Sequence, residues 1–219
     1  MKIVAFVPIK MNNERLPNKN TKCFDDGTPL IKFILNTLKR ITEIDEIYVF
    51  CSNPKIKEYL PKGIGYIQRS EILDTPTATP QDIIKEFKSK IDSDIYVVSH
   101  ATSPFVSHNN ISKCINKVLG GEYDSAFTAN KIQSLLWKND KPLNFDASRI
   151  PRTQDLTPIY SEVSAAYVFR KEVFEKYNRR IGIKPYICEV SKIESVDIDN
   201  FEDFEIANAL YMSLLKKEV

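Results

Sequence analysis

The feature of this sequence that most constrains its fold is the alternation of short apolar runs with segments of helical periodicity. Residues 2–8 form a compact run rich in Val and Ile, which is typical of a buried strand. A polar loop follows to about residue 28, and residues 29–41 then carry apolar side chains at helical spacing, with a proline suited to the first turn. Strands and helices that alternate in this way favour a mostly parallel sheet covered by helices on both faces.

The same alternation continues along the chain. Thr79 and Asn200 are predicted to cap helices, and Asp82 stands where a capping box places its acid. Residues 131–164 break the pattern, and we interpret them as a small hairpin or loop insertion, either a surface excursion or a dimer contact. The remaining predicted strands are 46–51, 64–68, 94–98, 125–129, 165–170 and 184–190, and the remaining predicted helices are 54–60, 79–91, 109–119 and 200–216. We find no linker or repeat, so residues 1–219 are predicted to form one α/β domain.

The composition excludes several classes of function. A formal net charge of +2 gives no general basic excess for nucleic-acid binding. The 4 cysteines include no C-x-x-C pair and the chain has 2 histidines, so a zinc site is not expected. The first apolar run is too short for a signal peptide or a membrane span. We therefore expect a cytoplasmic protein with reduced thiols and no membrane partner.

The loop after the first strand is the first candidate for a ligand site, because open α/β sheets bind ligands at the carboxyl ends of their strands. Its cations outnumber its one acid, Glu14, and such an excess suits a polyphosphate. The loop has neither the P-loop spacing nor G-x-G-x-x-G. A solvated basic loop remains the alternative. The cations are Lys10, Arg15, Lys19 and Lys22.

A D-x-D pair near the carboxyl end of the chain is the candidate metal site. Asp197 and Asp199 are predicted to project from one face of a strand, and two adjacent carboxylates favour a cation between them. Mg²⁺ takes one or two carboxylates and completes its octahedron with water and phosphate oxygens. An exposed strand end followed by the Asn200 cap would explain the spacing as well.

The first loop resembles the N-terminal signature of the acylneuraminate cytidylyltransferase family, which includes the CMP-sialic acid and CMP-Kdo synthetases. The resemblance implies a Rossmann-like three-layer α/β/α nucleotidyltransferase fold and a loop that wraps the phosphates of CTP. Lys10 stands where the family usually has Arg, and it keeps the charge without the planar fork. The residues that match, or that inherit a nucleotide-binding role, are Pro8, Lys10, Arg15, Leu16, Pro17, Lys19 and Asn20.

Two further segments extend this resemblance. Arg69 lies in a stretch similar to the family's Arg-Pro-x-x-Leu segment, which implies a contact with the nucleotide, and Thr79 stands next to the position of a family Ser. Residues 99–105 resemble Gln-Pro-Thr-Ser-Pro-Leu at the mouth of the central strand. Thr102 and Ser103 match, and His100 takes the position of the Gln that faces the sugar.

A third segment, residues 152–167, resembles the family's Arg-Gln-Asp-Leu-Pro…Tyr-x-x-Asn-Gly-Ala-x-Tyr stretch, with Val163 and Ser164 in place of Asn-Gly. The resemblance implies substrate contacts by Arg152, Gln154 and Glu162. It also places Lys138 at a basic position on the substrate side, so that Lys138 and Arg152 are candidates for binding a sugar carboxylate.

Together these segments imply a cytidylyltransferase that joins CMP from CTP to a sialic-acid-like ulosonic sugar and releases pyrophosphate. Arg15, Lys19 and Asp199 would be the catalytic residues, and Mg²⁺ would be held by Asp197 and Asp199. The family also implies a homodimer. The alternatives are a nucleotide-sugar-dependent glycosyltransferase, which also uses a D-x-D pair, and a non-catalytic nucleotide-binding relative.

Overall fold

The computed structural model describes residues 1–216. The strands of its main sheet are β1 (Ile3–Ile9), β2 (Glu46–Cys51), β3 (Gly65–Gln68), β4 (Ile95–Val98), β5 (Ser125–Ile132), β8 (Ile159–Arg170) and β9 (Pro185–Val190). The helices are α1 (Leu30–Lys39), α2 (Pro80–Lys90), α3 (His108–Leu119), α4 (Lys171–Tyr177) and α5 (Phe201–Leu210). A small hairpin joins β6 (Trp137–Lys138) and β7 (Lys141–Pro142), and single 3-10 segments span Lys19–Thr21, Pro54–Tyr59, Glu71–Asp74 and Thr153–Asp155.

The main sheet has seven strands in the order β3-β2-β1-β4-β8-β5-β9. Only β8 runs antiparallel to its neighbours, β4 and β5, and the other pairings are parallel. The predicted mostly parallel sheet is therefore confirmed.

Hydrophobic cores on both faces of the sheet make the domain three layers thick. Along β1, Ala5 and Val7 face the core beneath α1 and α3, whereas Val4 and Phe6 face the core beneath α2 and α4. Phe6 stacks on Phe87 of α2 with ring centroids 3.9 Å apart. This alternation follows from the two-residue period of a strand, and the predicted α/β/α architecture is confirmed.

The order of the strands reverses between β1 and β4. From β1 the chain first builds β2 and β3 on one side, and then returns to place β4 on the other. Ligands of open α/β sheets bind at such a switch point, at the carboxyl ends of the strands. The loops after β1 and β4 therefore flank the expected site.

The insertion is shorter than the sequence predicts. β5 extends to Ile132 and β8 begins at Ile159, so much of residues 131–164 belongs to a long antiparallel ladder. An irregularity between Phe127 and Ala129 shifts its register, and the Thr128 hydroxyl bridges it by donating to the Val163 carbonyl at 2.8 Å. The prediction that a strand begins only at residue 165 was wrong, because polar side chains on the outer part of β8 obscure its pattern.

The segment before α5 also differs from its prediction. Residues 196–199 form no strand, and single hydrogen bonds hold Ile198 there instead, from its N–H to the Thr102 carbonyl and from Lys19 to its carbonyl. The two predicted helix caps are confirmed, since both Thr79 and Asn200 form complete capping boxes. Within residues 1–216, no helix is long and apolar enough to cross a membrane.

Candidate active site

Buried polar residues give the loop after β1 a defined shape. Asn20 is buried, and its side-chain amide donates to the Lys10 carbonyl at 2.9 Å, which ties the two ends of the loop together. Asn18 has a φ of 57°, a left-handed conformation that asparagine tolerates, just before the turn Lys19–Thr21. Leu16 packs into a core cluster with Phe24. The loop therefore presents its cations from a fixed frame.

Two of these cations converge on one carboxylate. Lys19 is only 8% exposed, and its ammonium donates to the Ile198 carbonyl at 2.8 Å and lies 3.5 Å from Asp199 Oδ1. Arg15 is exposed and donates from Nη1 to Asp199 Oδ2 at 3.0 Å. In contrast, Lys22 lies 4.9 Å from the centre of the Phe204 ring, towards α5.

The two aspartates are held by the residue between them. Ile198 is fully buried, and full burial of such a side chain contributes about 1.5–3 kcal/mol. Its backbone N–H donates to the Thr102 carbonyl at 2.8 Å, and Asp203 accepts from the Asp199 N–H at 2.8 Å. The charge of Asp199 acts on Asp197, so the two carboxylates lie near each other although no strand forms. That the pair binds a metal together stays a prediction.

The electrostatics of this pair suit a cation. Partial desolvation raises the pKa of Asp197, a hydrogen bond from the Thr102 side chain opposes the shift, and the charge of Asp199 adds to it. A bound cation would reverse that cost. Residues 1–216 contain no group of three or more His, Cys, Asp or Glu side chains placed to hold a metal. The donor set fits Mg²⁺ held by two carboxylates and completed by ligand oxygens, rather than an all-protein cage. We refer to Arg15, Lys19, Asp197 and Asp199 as the cation–carboxylate cluster.

A larger crevice opens beside this cluster, between the loops after β1 and β2. Arg69 is 3% exposed and pairs with Asp74, which lines the crevice. Asp74 also accepts from the Ser52 hydroxyl at 2.5 Å. Arg69 Nε has no hydrogen-bond partner within the described residues. The crevice has a volume of about 670 Å³, and its lining includes Met11, Asn12, Ser52, Asn53, Asp74 and Thr75.

The remaining predicted nucleotide-binding residues have mixed placements. Thr79 caps α2, and its hydroxyl donates to Asp82 at 2.6 Å, so that this hydroxyl is engaged within the helix cap. Pro8 lies near the end of β1 and lines a small crevice with His100. Lys10 follows β1 and lines the pocket beside Arg15 and Lys19, and its contact with a phosphate stays a prediction.

His100 stands at the carboxyl end of β4 and is neutral. Its Nδ1 lies 2.7 Å from the Ser164 carbonyl, which can only accept, so Nδ1 carries the proton and Nε2 is an acceptor. Burial lowers the pKa of His100 to about 4, the hydrogen bond to Ser164 opposes that shift, and the charges of Arg180 and Lys19 add to it. Ser103 is fully buried with no partner for its hydroxyl among the described residues.

The structure brings to His100 a residue that sequence analysis missed. Arg180 lines the same crevice, and its guanidinium carbon lies 3.4 Å from the centre of the Tyr167 ring. Glu162, a predicted substrate residue, accepts from the Tyr167 hydroxyl at 2.9 Å and lies 3.9 Å from Arg180. No local signal marks Arg180, because it follows α4 as one of two adjacent arginines. Two adjoining cavities share Pro80 and Arg180; Pro8 and His100 line one of them and Glu162 lines the other, and we call the two together the β1–β4 crevice.

Three predicted substrate residues lie elsewhere in the chain. Lys138 is exposed on the β6–β7 hairpin. Arg152 is also exposed and pairs with Asp155, with Nε 2.8 Å from Oδ2. Gln154 is exposed, and its carbonyl accepts from Gln133. None of the three lines either crevice within the part of the chain that the structure describes.

Comparison with known proteins decides the family. The model of the family described as "Cytidylyltransferase" matches residues 4–218. The chain belongs to this cytidylyltransferase family. The predicted family resemblance is thereby confirmed.

Relatives within the cytidylyltransferase family and solved structures are similar over most of the chain. An N-acylneuraminate cytidylyltransferase of Streptococcus agalactiae is 25% identical over 215 residues, which cover 93% of this chain and 52% of the relative. A 3-deoxy-manno-octulosonate cytidylyltransferase of Hydrogenovibrio crunogenus is 27% identical over 131 residues, which cover 58% of this chain and 51% of the relative. The chain thus spans about half the length of these curated relatives. A solved CMP:2-keto-3-deoxy-manno-octonic acid synthetase complexed with CTP has a TM-score of 0.75, with 16% identity and full coverage of both chains. That likeness confirms the nucleotidyltransferase fold.

Proposed function

We propose that this protein is a CTP-dependent cytidylyltransferase that transfers CMP to an acidic sugar of the sialic-acid or ulosonic type. The observation that carries the proposal is the convergence of Arg15 and Lys19 on Asp199, beside Asp197, at the switch point of a chain in the cytidylyltransferase family. The names of the relatives, which act on N-acylneuraminate and 3-deoxy-manno-octulosonate, support an acidic sugar.

In the proposed reaction, the anomeric hydroxyl of the sugar attacks the α-phosphorus of CTP. A bond forms between the sugar oxygen and phosphorus, the bond from phosphorus to the α–β bridging oxygen breaks, and pyrophosphate leaves with that oxygen while the hydroxyl proton passes to solvent. Arg15 and Lys19 would exchange Asp199 for phosphate oxygens, and Lys10 borders the same pocket. Such charge stabilisation and positioning carry most of the catalysis in phosphoryl transfer.

Asp197 and Asp199 would hold Mg²⁺, which supplies charge neutralisation on the leaving phosphates when bound. His100 would accept a hydrogen bond from a sugar hydroxyl at Nε2. Since its pKa is about 4, it is a poor proton carrier at neutral pH, and its role is to orient the sugar.

A homodimer with the excursion 133–158 as its contact is also proposed. Large apolar side chains are exposed there, including Trp137 at 60% and Ile150 at 65%. In such a dimer, Lys138 and Arg152 would reach a substrate only in the partner's site. Light scattering on the purified protein measures the oligomeric state.

The test of the proposed function is pyrophosphate release by the purified protein with Mg²⁺, with the four nucleoside triphosphates crossed against a panel of ulosonic acids. Release with CTP and an acidic sugar is expected. If CTP binds but no acid in the panel gives release, a non-catalytic nucleotide-binding relative is the better description. Release of a nucleoside mono- or diphosphate from a nucleotide-sugar donor, with no pyrophosphate release from CTP, would favour a glycosyltransferase.

A further inference from the structure

The β1–β4 crevice contains a partly buried cation, Arg180, that the reaction above does not use. The Arg180 side chain is only 20% exposed. Its nearest carboxylate, on Glu162, is 3.9 Å away, beyond hydrogen-bond distance. Within residues 1–216, its guanidinium makes no hydrogen bond to a protein acceptor. A guanidinium has five N–H donors in a planar fork, and since its one carboxylate partner is at ion-pair distance only, these donors are available to an anionic ligand.

The chain around Arg180 fixes its position. Asn178 ends α4 in the left-handed conformation with a φ of 50°, and its N–H donates to the Phe174 carbonyl at 2.8 Å. Two residues beyond Arg180, a Cβ at Gly182 would collide with the carboxylate of Asp124, which accepts from the Ile183 N–H at 2.7 Å. The turn is therefore pinned on both sides, and Arg180 is preorganised over the Tyr167 ring.

The neighbours of Arg180 define what the ligand must offer. His100 Nε2 is a neutral acceptor, and the Glu162 carboxylate is a second acceptor, about half exposed at 49%. The crevice thus combines one fork of donors with two acceptors. A compound with a carboxylate and several hydroxyl groups satisfies both kinds of partner.

His100 also relates this crevice to the cation–carboxylate cluster. His100 lines a cavity with Arg180. Two residues after His100, the Thr102 carbonyl accepts from the Ile198 N–H, and the Ile198 carbonyl accepts from Lys19. The side chains of Lys19 and Arg15, from the loop after β1, both donate to the Asp199 carboxylate. Arg180 therefore lies beside His100, whereas Arg15 and Lys19 are engaged with Asp199.

We propose that Arg180 binds the carboxylate of the sugar substrate and thereby selects acidic over neutral sugars. This inference rests on the proposed function and assigns its carboxylate contact to Arg180 rather than to Lys138 or Arg152. The planar fork of arginine matches a carboxylate through two parallel N–H···O bonds, and stacking on Tyr167 fixes the plane of that fork.

The test is steady-state pyrophosphate release by Arg180→Gln, Arg180→Lys and the wild type. For Arg180→Gln we expect the KM for the acidic sugar to rise about 10- to 100-fold, the scale of a lost hydrogen-bonded charge pair. The KM for CTP should change by less than about threefold, within the usual scatter of independent sites. In Arg180→Lys, the KM for the acidic sugar should lie between the values of the wild type and Arg180→Gln, because lysine keeps the positive charge but lacks the planar fork of donors. Lys176→Gln, an exposed loss of the same charge on α4, is the matched control.

A second comparison uses the carboxamide of the same sugar. In the wild type, replacing the acid by the carboxamide should raise the KM for the sugar about as much as Arg180→Gln raises the KM for the acid. In Arg180→Gln, the same replacement should raise the KM for the sugar by less than about threefold. A purely structural role would weaken both substrates equally in the variant. The assignment would therefore be overturned if Arg180→Gln raised the KM for the acid and for the carboxamide by the same factor. It would also be overturned if the KM for CTP rose as much as the KM for the acid.

The outcomes separate this inference from the proposed function. If the wild type gives no release with any acid, the proposed function fails and the inference fails with it. If the wild type is active and Arg180→Gln matches it, only the inference fails. If melting curves show that Arg180→Gln does not fold, the test uses Arg180→Lys instead. A KM for the acid in Arg180→Lys equal to that of the wild type would then overturn the assignment.

Discussion

The cation–carboxylate cluster and the β1–β4 crevice handle their charges in different ways. In the cluster, Lys19 and Arg15 are neutralised by Asp199 of the same chain. In the crevice, Arg180 has no acceptor within hydrogen-bond distance among the described residues, although Glu162 lies nearby. The first arrangement must exchange partners when a polyphosphate binds, whereas the second is already formed for an anion. We therefore infer that the nucleotide side rearranges on binding and that the sugar side is preorganised.

Removing the shared carboxylate gives the largest expected effect. Asp199→Asn should lower kcat about 10²- to 10³-fold, because a charge stabiliser of the transition state is lost. The protein should stay folded, since the side chain is 45% exposed and exposed ion pairs contribute about 0–1 kcal/mol. Pyrophosphate release and thermal melting measure the two effects. Asp155→Asn, which breaks the exposed pair with Arg152, is the control, and near-normal turnover by Asp199→Asn would remove Asp199 from the site.

The two cations of the cluster should differ, because one is buried and the other is not. Lys19→Met should raise the KM for CTP about 10- to 100-fold and lower the free energy of unfolding by about 1–3 kcal/mol, since it leaves the Ile198 carbonyl without its donor. Arg15→Met should change the free energy of unfolding by less than about 1 kcal/mol. Urea unfolding and CTP titration of both variants test this, and equal stability losses would contradict it.

The neutral state of His100 predicts a pH effect on stability. Its pKa is about 4 in the folded protein and 6.5 in the unfolded chain, so the unfolded state binds more protons between these values. Stability should therefore fall as the pH drops from 6.5 towards 4, by about 2 kcal/mol between pH 7.5 and pH 5. His100→Gln should lose that part of the pH dependence in urea unfolding, while His108→Gln should retain it. Parallel curves for the wild type and His100→Gln would show that His100 is not held neutral.

The smallest effect is expected on the excursion. Arg152 is 73% exposed and paired with Asp155, so Arg152→Gln should change the free energy of unfolding by less than about 1 kcal/mol. Its KM for the acidic sugar should stay within about threefold of the wild type. If the KM for the acidic sugar rose as much in Arg152→Gln as in Arg180→Gln, the carboxylate contact would be assigned to Arg152, on the excursion of a partner chain.

Much of the fold could be predicted from sequence because its signals are local. The buried strands carry continuous apolar runs, and the Thr79 and Asn200 caps depend on side chains within three residues of the helix start. β8 was predicted only from residue 165 onwards, because its outer part is polar and is held by its ladder with β5 rather than by burial.

The sequence by itself determined the layered α/β fold, the basic loop with Lys19, and the Asp197–Asp199 pair, since periodicity and motif spacing are properties of neighbouring residues. Only the tertiary structure decided which distant groups meet. Ile198 is fixed by Lys19 and Thr102 from loops far away in the chain, and Arg180 reaches His100 because α4 ends and turns there. Its partial burial and its stacking on Tyr167 distinguish Arg180 from a surface arginine, and both depend on how the sheet and the turn after α4 pack rather than on local sequence.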